Sequence, residues 1–501
     1  MPGIFMKRTG SRIAMAVGAW VLLVLVMVGG AYFWVNQMSE RAKLTAMIKS
    51  GPISQETSVF PSPDKTQYQM ALFLDVGRSE LTGSSMISTR NTAGMELNEI
   101  WVGTFPNTMK TAEGTPAPRD AYPSGFNPGW LTVQRVTVNG LPAVFEDKGA
   151  GGRIVPHRPI PPAVPIVIAM EWKARIPNAA YRFGTRNGIF MLGNFYPILS
   201  VHDGSGWHLP VNTKYGDPFY AQCADYLVRL TLPDGYEVAS SGVETEKNAL
   251  DNGLVTVDLQ AENARDFAIA AVNGCSEQSI LMDGVQMYSL TRADVKIRRQ
   301  VLQAAADSLK FYNKMFGKYP YKELKLVQVP MKGFSGMEYS GIVFISDDVY
   351  KPGYGKTRRT RLAAHEVAHQ WWYGMVGNDQ TREPWLDEGL ASWSADNFMV
   401  QEEDLPSEQL KQTGSQTMDR DLTAFKDRKQ YYNAAYRDGA AFWTGLEEQL
   451  GGGEVKRLLR AYAERYKFKT ATTEGLRRLI VIEAGEDIQP YFKRWFKQTE
   501  K

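Results

Sequence analysis

The sequence predicts a multidomain α+β protein in which a β-rich domain precedes an α-rich domain. From about residue 59 to 276, apolar residues alternate in short runs, as in strands with one buried face. After about residue 290 they recur with the longer period of helices. The chain has 501 residues, more than one hydrophobic core usually serves. We therefore expect a β domain over 59–276 and an α-rich domain over 277–501.

An apolar, uncharged run over residues 13–35 precedes these domains. It is long enough to cross a bilayer as a helix, which needs about 20 residues. Residues 1–12 carry three basic residues and no acidic residue, which favours the cytoplasmic side. We therefore predict a cytoplasmic tail over 1–12, a single transmembrane helix over 13–35 and a polar linker over 36–58. The folded part of the chain would then lie outside the cytoplasm, anchored to the cell membrane.

A cleaved signal peptide is the alternative interpretation of the same run. Its apolar region would be shorter, about 7–15 residues, and an Ala-x-Ala-like site would follow it. Gly29-Gly30-Ala31 is a poor site of this kind because bulky aromatic residues come next. We favour a retained anchor, and both interpretations predict export.

Period-two alternation predicts strands along the β domain. Two Asn-Gly dipeptides, Asn139-Gly140 and Asn252-Gly253, are typical of tight hairpin turns. Residues 105–165 are rich in Pro and Gly, which favours loops and edge strands. The clearest predicted strands are Tyr68–Val76, Thr132–Asn139, Asp225–Leu232, Val255–Leu259 and Phe267–Val272.

The α-rich domain is expected to hold a small sheet and a series of helices. The predicted strands are Lys325–Val329 and Gly341–Ile345. The predicted helices are Val295–Met315, Arg358–Tyr373, Asp387–Met399, Ala435–Leu450, Glu454–Tyr466, Thr473–Ala484 and Gln489–Lys497.

Charge and cysteine content exclude some classes of function. The net charge of +3 comes from residues 1–12, and the remaining acidic and basic residues balance. A balanced body gives no electrostatic basis for binding nucleic acid, so we expect no such partner. Cys223 and Cys275 form no Cys-x-x-Cys pair, which argues against a cysteine zinc site. Whether they form a disulfide or stay free thiols remains open at this point.

The pattern His365-Glu366-Val367-Ala368-His369 is the strongest chemical signal in the chain. On a helix, residues four apart lie on one face, so one ion can bind both imidazoles. A catalytic zinc site has three protein ligands plus water. Glu366 lies about 100° around the helix from His365, so it can reach that water without binding the metal. We predict His365 and His369 as ligands of one zinc ion per chain and Glu366 as the general base.

A third zinc ligand is expected from the segment Trp385-Leu386-Asp387-Glu388-Gly389. Eighteen residues separate His369 from Glu388. That spacing allows the first helix to end near Gly374 and a second helix to return a carboxylate. Glu388 is the better candidate for the ligand, and Asp387 is the weaker one.

Two further segments are candidates for the site. Three glycines surround Met337-Glu338, which suggests backbone that approaches another group closely, although a tight loop explains the same residues. Tyr436, near the start of a predicted helix, could stabilise an oxyanion. Packing beside Tyr431 and Tyr432 is the simpler explanation of this tyrosine. For both segments, the residues alone favour the structural interpretation.

Taken in this order, the three segments resemble the motifs of the M1 family of gluzincin aminopeptidases. His-Glu-x-x-His, eighteen residues and Glu resemble its zinc signature, and Gly336-Met337-Glu338 resembles the core of its Gly-x-Met-Glu-Asn motif. Tyr436-x-x-Gly-Ala resembles its tyrosine motif. The resemblance covers roughly residues 60–500 and is strongest over 320–450. It implies peptide substrates, a saddle-like antiparallel β domain and a thermolysin-like α-rich zinc peptidase domain.

The same resemblance implies roles for the remaining residues. Glu338 would bind the free α-amino group of the substrate, and Gly336 and Met337 would line the substrate. Tyr436 would stabilise the transition state. The expected reaction is zinc-dependent removal of N-terminal residues from peptides.

The chain departs from the family motifs in three places. Ser335 and Tyr339 replace a Gly and the Asn of the first motif, and Asp438 replaces the usual Lys of the second. These changes affect substrate preference more than chemistry. Because the chain ends soon after the predicted helices, we also expect it to lack the helical C-terminal domain of many relatives, which makes strict exopeptidase behaviour less certain.

Other functions stay open on the sequence. A zinc endopeptidase would share the metal chemistry and would not depend on Glu338. A non-catalytic receptor or scaffold could keep the fold, although it would need neither the base nor the tyrosine. Hydrolysis of a non-peptide substrate such as an epoxide is a further alternative, which no residue of the sequence favours.

Overall fold

A computed structural model describes residues 65–403, 418–484 and 488–496. The predicted tail, transmembrane helix and linker over residues 1–58 lie outside the described residues. Within the described ranges, no helix combines the length and the apolar character needed to cross a membrane.

Strands dominate the first half of the described chain. They are β1 (Gln67–Asp75), β2 (Glu80–Arg90), β3 (Ile100–Gly103), β4 (Trp130–Val138), β5 (Leu141–Pro142), β6 (Val144–Asp147), β7 (Gly151–Val155), β8 (Pro165–Arg175), β9 (Phe183–Arg186), β10 (Ile189–Leu192), β11 (Ile198–Leu199), β12 (His202–Asp203), β13 (Gly206–Trp207), β14 (Ala224–Pro233), β15 (Glu237–Ser240), β16 (Val243–Leu250), β17 (Leu254–Ala264) and β18 (Ile269–Val272). They form an eight-stranded sheet in the order β16-β17-β14-β1-β2-β8-β4-β5, two four-stranded sheets (β15-β18-β10-β9 and β11-β3-β7-β6) and the pair β12-β13.

The eight-stranded sheet is mixed, which corrects the expected antiparallel β domain. β1 pairs with β14 in parallel, from Gln67 opposite Asp225 to Phe73 opposite Thr231. Its other strand pairs are antiparallel. Parallel neighbours need a long crossover connection, and the many residues between β1 and β14 provide one.

The two predicted Asn-Gly turns are confirmed. Asn139 and Gly140 join β4 to β5 with φ of 50° and 78°. Asn252 and Gly253 lie in the three-residue connection between Leu250 of β16 and Leu254 of β17, with φ of 74° and 69°. Positive φ at both central residues is the backbone that the two-residue turn at Asn139-Gly140 requires, and Asn and Gly adopt positive φ at low cost.

A five-stranded sheet opens the second half. Its strands are β19 (Ser276–Met282), β20 (Val285–Thr291), β21 (Glu323–Val329), β22 (Gly336–Met337) and β23 (Ile342–Ser346), in the order β19-β20-β21-β23-β22. The hairpin of β19 and β20 was not predicted. The loop interpretation of Gly336 and Met337 is wrong, since they form the edge strand β22, antiparallel to β23.

Helices make up most of the rest. They are α1 (Val295–Phe316), α2 (Lys356–Ala368), α3 (Trp385–Glu402), α4 (Arg428–Tyr431), α5 (Gly439–Leu450), α6 (Gly452–Arg465), α7 (Thr473–Ala484) and α8 (Gln489–Trp495). A π-helical segment, Tyr432–Asp438, joins α4 to α5, and the short strands β24 (Val376–Gly377) and β25 (Lys469–Thr470) pair in parallel. The predicted β-rich first half and helical second half are thus confirmed.

Helix α2 ends five residues earlier than the predicted helix Arg358–Tyr373. The amide N–H groups of Trp371 and Trp372 both donate to the carbonyl of Ala368, which tightens the last turn. Tyr373 then has φ of 135°, far from helical backbone. The chain therefore turns directly after His369.

The two halves share buried contacts. Met191 and Ala270 of the β half pack in one apolar cluster with Val327 and Phe344 of the five-stranded sheet. These side chains are all buried, so the contact contributes to stability in the way that a domain core does.

Arg265 is a second link between the halves. Its side chain is buried, with 1% of the residue exposed. The guanidinium donates to the carbonyls of Tyr373 (2.7 Å), Ala221 (2.8 Å) and Lys469 (3.0 Å). A buried arginine needs such partners, and here they fix the turn that follows α2.

Cys223 and Cys275 are free thiols in the structure. Cys223 is buried and its Sγ donates to the carbonyl of Gly374 at 3.6 Å. The alternative of two free thiols therefore describes this structure, and neither cysteine bears on the candidate site.

Candidate active site

His365, His369 and Glu388 meet at one buried point. The Nε2 atoms of the two histidines are 3.2 Å apart. Glu388 Oε2 is 3.4 Å from His365 Nε2 and 3.3 Å from His369 Nε2. The structure therefore brings together the three residues that the sequence predicted as ligands: His365 in the last turn of α2, His369 directly after α2, and Glu388 in the first turn of α3.

This triangle fits zinc. Tetrahedral ligands at about 2.0–2.1 Å from an ion lie about 3.3–3.4 Å apart, close to the observed separations. Two imidazoles and a carboxylate form a common ligand set of catalytic zinc. Glu388 Oε2 has no hydrogen-bond partner although it is buried, so it is a buried acceptor that a cation would satisfy.

The charges around the triangle also favour a cation. Burial lowers the pKa of His365 to about 4, which keeps its imidazole neutral, as a metal ligand must be. Burial opposes ionisation of Glu388, but the two histidines beside it hold its pKa at about 2. Burial opposes protonation of His369, yet Glu338 and Glu388 raise its pKa well above the usual value. The carboxylates of Glu338 and Glu388 thus lie close to this point and favour a cation there.

Local contacts orient the ligands. His369 Nδ1 lies 2.9 Å from the carbonyl of Trp372, so the turn after α2 directs Nε2 toward the triangle. Gly389, next to Glu388, touches Gly439, the first residue of α5. A Cβ on Gly389 would lie 2.8 Å from Gly439 Cα. The two glycines therefore allow α3 and α5 to approach closely, and this approach carries the segment with Tyr436 up to Glu388.

Glu366 lies beside the triangle and against the edge strand. It is buried, and its Oε2 has no hydrogen-bond partner. A Cβ on Gly336 would lie 2.1 Å from Glu366 Oε1, so only glycine fits at this position. Burial raises the pKa of Glu366 to about 8, which leaves the carboxyl able to gain and lose a proton near neutral pH.

Tyr436 lies in the π-helical segment rather than at the start of the predicted helix Ala435–Leu450, which begins as an α-helix only at Gly439. Its hydroxyl donates to Glu388 Oε1 at 2.5 Å. Its ring stacks on His365 with centroids 5.7 Å apart. The hydroxyl proton is therefore held at the edge of the triangle, where an oxyanion would form.

Glu338 follows β22 directly and is buried. Glu338, His369 and Asp387 offer ligand atoms within 4.8 Å of one another. The side-chain amide of Gln380 points to Glu338 Oε1 at 3.5 Å. Burial and the charge of Asp217 raise the pKa of Glu338 well above the usual value. A cation bound here would relieve this concentration of negative charge.

Asp387, the weaker candidate for the third ligand, is bound by amides instead. Asn378 Nδ2 donates to its Oδ1 at 2.9 Å, and Gln380 Nε2 donates to its Oδ2 at 2.7 Å. Glu388 is therefore the better placed of the two carboxylates.

Met337 is the one predicted substrate-lining residue whose side chain faces away from the site. Successive residues of a strand point to opposite faces. Met337 accordingly packs in the apolar cluster with Phe344, whereas Gly336 faces Glu366. Only the backbone of Met337 can line the substrate.

A cavity of about 370 Å³ adjoins the triangle. His365, Glu366, Tyr436 and Gly336 line one part of it. A larger cavity of about 420 Å³ is lined by other residues, among them Tyr220 and Asp379, and by none of the predicted site residues within the described chain. We therefore assign the candidate active site to the smaller cavity, because predicted site residues line it.

Sequence comparison agrees with this geometry. The profile of the Peptidase family M1 domain matches residues 301–495, a range that holds all the predicted site residues. Residues 301–495 therefore resemble a peptidase family M1 domain. This match implies zinc as the cofactor, which the ligand triangle fits. Aminopeptidase M1 from Arabidopsis thaliana is 25% identical to this chain over 355 residues, which are 62% of this chain and 40% of that protein.

Solved structures of M1 peptidases share the fold. A two-domain M1 zinc metallopeptidase mutant bound to L-arginine matches with a TM-score of 0.61 and 15% identity, and covers 87% of this chain and 94% of its own. An M1 zinc metallopeptidase mutant from Deinococcus radiodurans bound to a Tyr-Ser-Ala substrate matches with a TM-score of 0.59 and 16% identity, and covers 87% and 95%. At these identities the likeness concerns the fold.

This chain spans less than half the length of the curated relatives that it matches. It covers 28% of Aminopeptidase M1-A from Oryza sativa subsp. japonica and 40% of the Arabidopsis protein.

Several residues around the site escaped prediction. Asp217 and Arg182 form a buried ion pair, with Arg182 Nη1 2.6 Å from Asp217 Oδ1. No local sequence pattern predicts this pair. Gln380 and Asn378 lie in a polar run before α3, which was a usable signal. Arg358 and Arg361 precede His365 by seven and four residues, so their place on its helical face was readable from the spacing.

Proposed function

We propose that this chain is a zinc-dependent aminopeptidase that removes residues from the free N-terminus of peptides. The observation that carries the proposal is the position of Glu338. A buried carboxylate lies beside the zinc ligand triangle, at the end of the edge strand, where an ammonium group is the natural partner. The M1 aminopeptidases similar to this chain support the same reading.

Bound zinc supplies Lewis-acid chemistry, since it polarises a carbonyl and lowers the pKa of a water molecule. Glu366 takes the proton of the attacking water and delivers it to the leaving amine. Its buried, unpartnered Oε2 and its raised pKa suit both steps. The peptide bond then breaks with no other proton donor required.

Tyr436 donates a hydrogen bond from its hydroxyl to the oxyanion that develops on the scissile carbonyl. It does so by exchanging its bond to Glu388 Oε1 for one to the substrate. Stacking on His365 keeps the phenol in place during this exchange.

Glu338 fixes the position of cleavage. Its carboxylate pairs with the N-terminal ammonium, so that a single residue lies between this pair and the scissile bond. The backbone of Gly336 and Met337 runs along the substrate as an edge strand, which can pair with an extended peptide.

The test is hydrolysis of a matched peptide pair by the zinc-loaded full-length chain. One peptide has a free N-terminus and the other is acetylated. We expect cleavage of the free peptide only, with loss of activity in chelator and recovery on adding zinc. Equal cleavage of both peptides would instead make the protein a zinc endopeptidase, and no metal-dependent cleavage of either would favour a non-catalytic scaffold.

We also propose that residues 13–35 anchor the chain in the cell membrane, with the catalytic domain outside the cytoplasm, and that its two domains are the saddle-like and thermolysin-like domains of the family. The support for the anchor is the length of the apolar run and the basic residues before it. Protease added to intact cells should digest the catalytic domain, and detergent should be needed to release the chain. Release of the full chain by an alkaline carbonate wash would contradict the anchor.

A further inference from the structure

Arginines line the cleft beyond the zinc ligands. Arg358 and Arg361 lie on the same face of α2 as His365, about 10 Å and 6 Å from it along the helix axis at 1.5 Å per residue. Both residues line the cavity of about 370 Å³ that adjoins the ligand triangle at His365. One wall of the cleft thus becomes basic with distance from the metal site.

Arg428, the first residue of α4, lines the same cavity. Its Nη1 donates to the carbonyl of Gly333 at 2.8 Å, and its guanidinium lies 5.8 Å from the centroid of the Phe334 ring. Gly333 is five residues before Glu338, so the two can be separated by up to about 17 Å along an extended chain. Arg428 therefore contacts the segment that precedes β22, whereas Glu338 follows β22.

The three arginines differ in their partners. Arg361 pairs with Asp396, with Nε 2.5 Å from Oδ1. Arg358 stacks on Tyr354 at 4.5 Å, and Arg428 contacts a carbonyl and an aromatic ring; within the described residues, neither pairs with an acid. Among the described residues that line this cavity, Glu366 is the single carboxylate.

The neighbouring acid of Arg428 is used elsewhere. Asp427 caps α4 by accepting from the N–H of Gln430 at 2.8 Å. Arg358 and Arg428 are both exposed to solvent, so both are available to a ligand in the cleft.

We propose that Arg358 and Arg428 bind a carboxylate of the substrate on the C-terminal side of the scissile bond. This rests on the proposed function, in which Glu338 holds the N-terminal ammonium and the peptide runs along β22 toward Gly333. A guanidinium binds carboxylate through paired, charge-assisted hydrogen bonds, which gives it both strength and direction.

The favoured substrates are short peptides. At about 3.3 Å per residue, a peptide of about three to five residues reaches from Glu338 to the region of Gly333. The carboxylate can be the free C-terminus of such a peptide or an acidic side chain in a longer one. Both present the same group to the arginines.

Three tetrapeptides distinguish these sources with the zinc-loaded full-length chain. One has a free C-terminus, one is amidated, and one is amidated with glutamate as its last residue. We expect kcat/KM for the free acid to exceed that for the plain amide by about fivefold to tenfold, the range for partly exposed charge-assisted bonds. A high value for the glutamate amide would show that a side-chain carboxylate also binds, and a low value would restrict the site to the C-terminus.

Variants assign the effect to the arginines. Arg358→Gln and Arg428→Gln should each lower the ratio of acid to amide, whereas Arg428→Lys should keep part of it. Arg478→Gln changes an exposed arginine of α7 outside the cleft and should leave the ratio unchanged. Because a ratio is measured, a general loss of folded enzyme does not alter it.

An equal kcat/KM for acid and amide in the wild-type protein would overturn the inference while leaving the proposed function intact. So would a ratio that survives in both glutamine variants. If no peptide is cleaved, the proposed function fails, and the dissociation constants of the acid and amide tetrapeptides still decide this inference: tighter binding of the acid supports it and equal binding refutes it.

Discussion

The buried surroundings of the zinc ligands (the inner end) and the arginine-lined cavity beside them (the outer end) have opposite charge and opposite exposure. At the inner end, Glu338, Asp387 and Asp217 are all buried. At the outer end, Arg358 and Arg428 are exposed to solvent. A peptide that binds with its N-terminus inward places its ammonium beside acidic side chains and its carboxylate beside basic side chains.

The two ends should also differ in the strength of their charge interactions. Buried charges interact strongly because the local dielectric constant is low, and removing one partner leaves the other unpaired at high cost. Exposed charges are screened by water and salt. Substitutions at the inner end should therefore have large effects on both stability and turnover, and substitutions at the outer end should alter substrate preference alone.

The largest effect is expected at the general base. Glu366→Gln keeps the shape of the side chain but removes its ability to take a proton, so kcat should fall by about 10³-fold or more. Zinc content, measured by atomic absorption, should stay at one ion per chain. The exposed Glu464→Gln serves as the control. Near-normal turnover in zinc-loaded Glu366→Gln protein would exclude this residue as the base.

The next effect tests the buried charge at the inner end. Arg182→Met leaves Asp217 buried without its partner, so the free energy of unfolding should fall by about 3–5 kcal/mol. Arg358→Gln, at the outer end, should change it by less than about 0.5 kcal/mol. Urea denaturation of both variants measures the contrast, which would disappear if the two ends were energetically alike.

Turnover should respond strongly to the tyrosine beside the ligand triangle. Tyr436→Phe removes the hydroxyl that donates to Glu388, and kcat should fall by about 10²–10³-fold, as when one oxyanion donor is lost. Zinc should remain bound, because Tyr436 contacts a ligand and is not one. A fall in KM alone, with kcat unchanged, would contradict the assigned role.

A smaller loss is expected from the contact of Gly336 with the base. Gly336→Ala places a Cβ 2.1 Å from Glu366 Oε1 and must displace that carboxylate. Misplacement of about 1 Å can reduce turnover by about 10²-fold. Gly353→Ala is the matched control, since no atom lies within 4 Å of the added Cβ. Wild-type turnover in Gly336→Ala would show that Glu366 does not need this contact.

The sequence predicted the parts of the site that are local. His365 and His369 share a helical face because they are four residues apart, and Glu388 followed from spacing and family resemblance. The metal ligands can therefore be recognised from the sequence alone. The early end of α2 was missed because the turn at Tyr373 depends on contacts with Arg265, more than 100 residues away.

The parts that escaped prediction depend on distant pairing. The parallel contact of β1 with β14 and the ion pair of Arg182 with Asp217 join segments with no shared local pattern. Arg428 reaches the cleft only because α4 packs near Gly333. Arg358 and Arg361 differ from these, since helical spacing from His365 would have placed them beside the site.

The most direct test of the central claim is a binding measurement on zinc-loaded Glu366→Gln protein, which holds peptides without cleaving them. Two ligands are compared, a tripeptide and its analogue that lacks only the N-terminal amine. If Glu338 binds the ammonium, the tripeptide should bind at least about tenfold more tightly, the value of a single well-formed ion pair, and the difference should vanish when Glu338→Gln is added. Equal affinity for the two ligands in the protein with Glu338 intact would contradict an amine-anchored aminopeptidase.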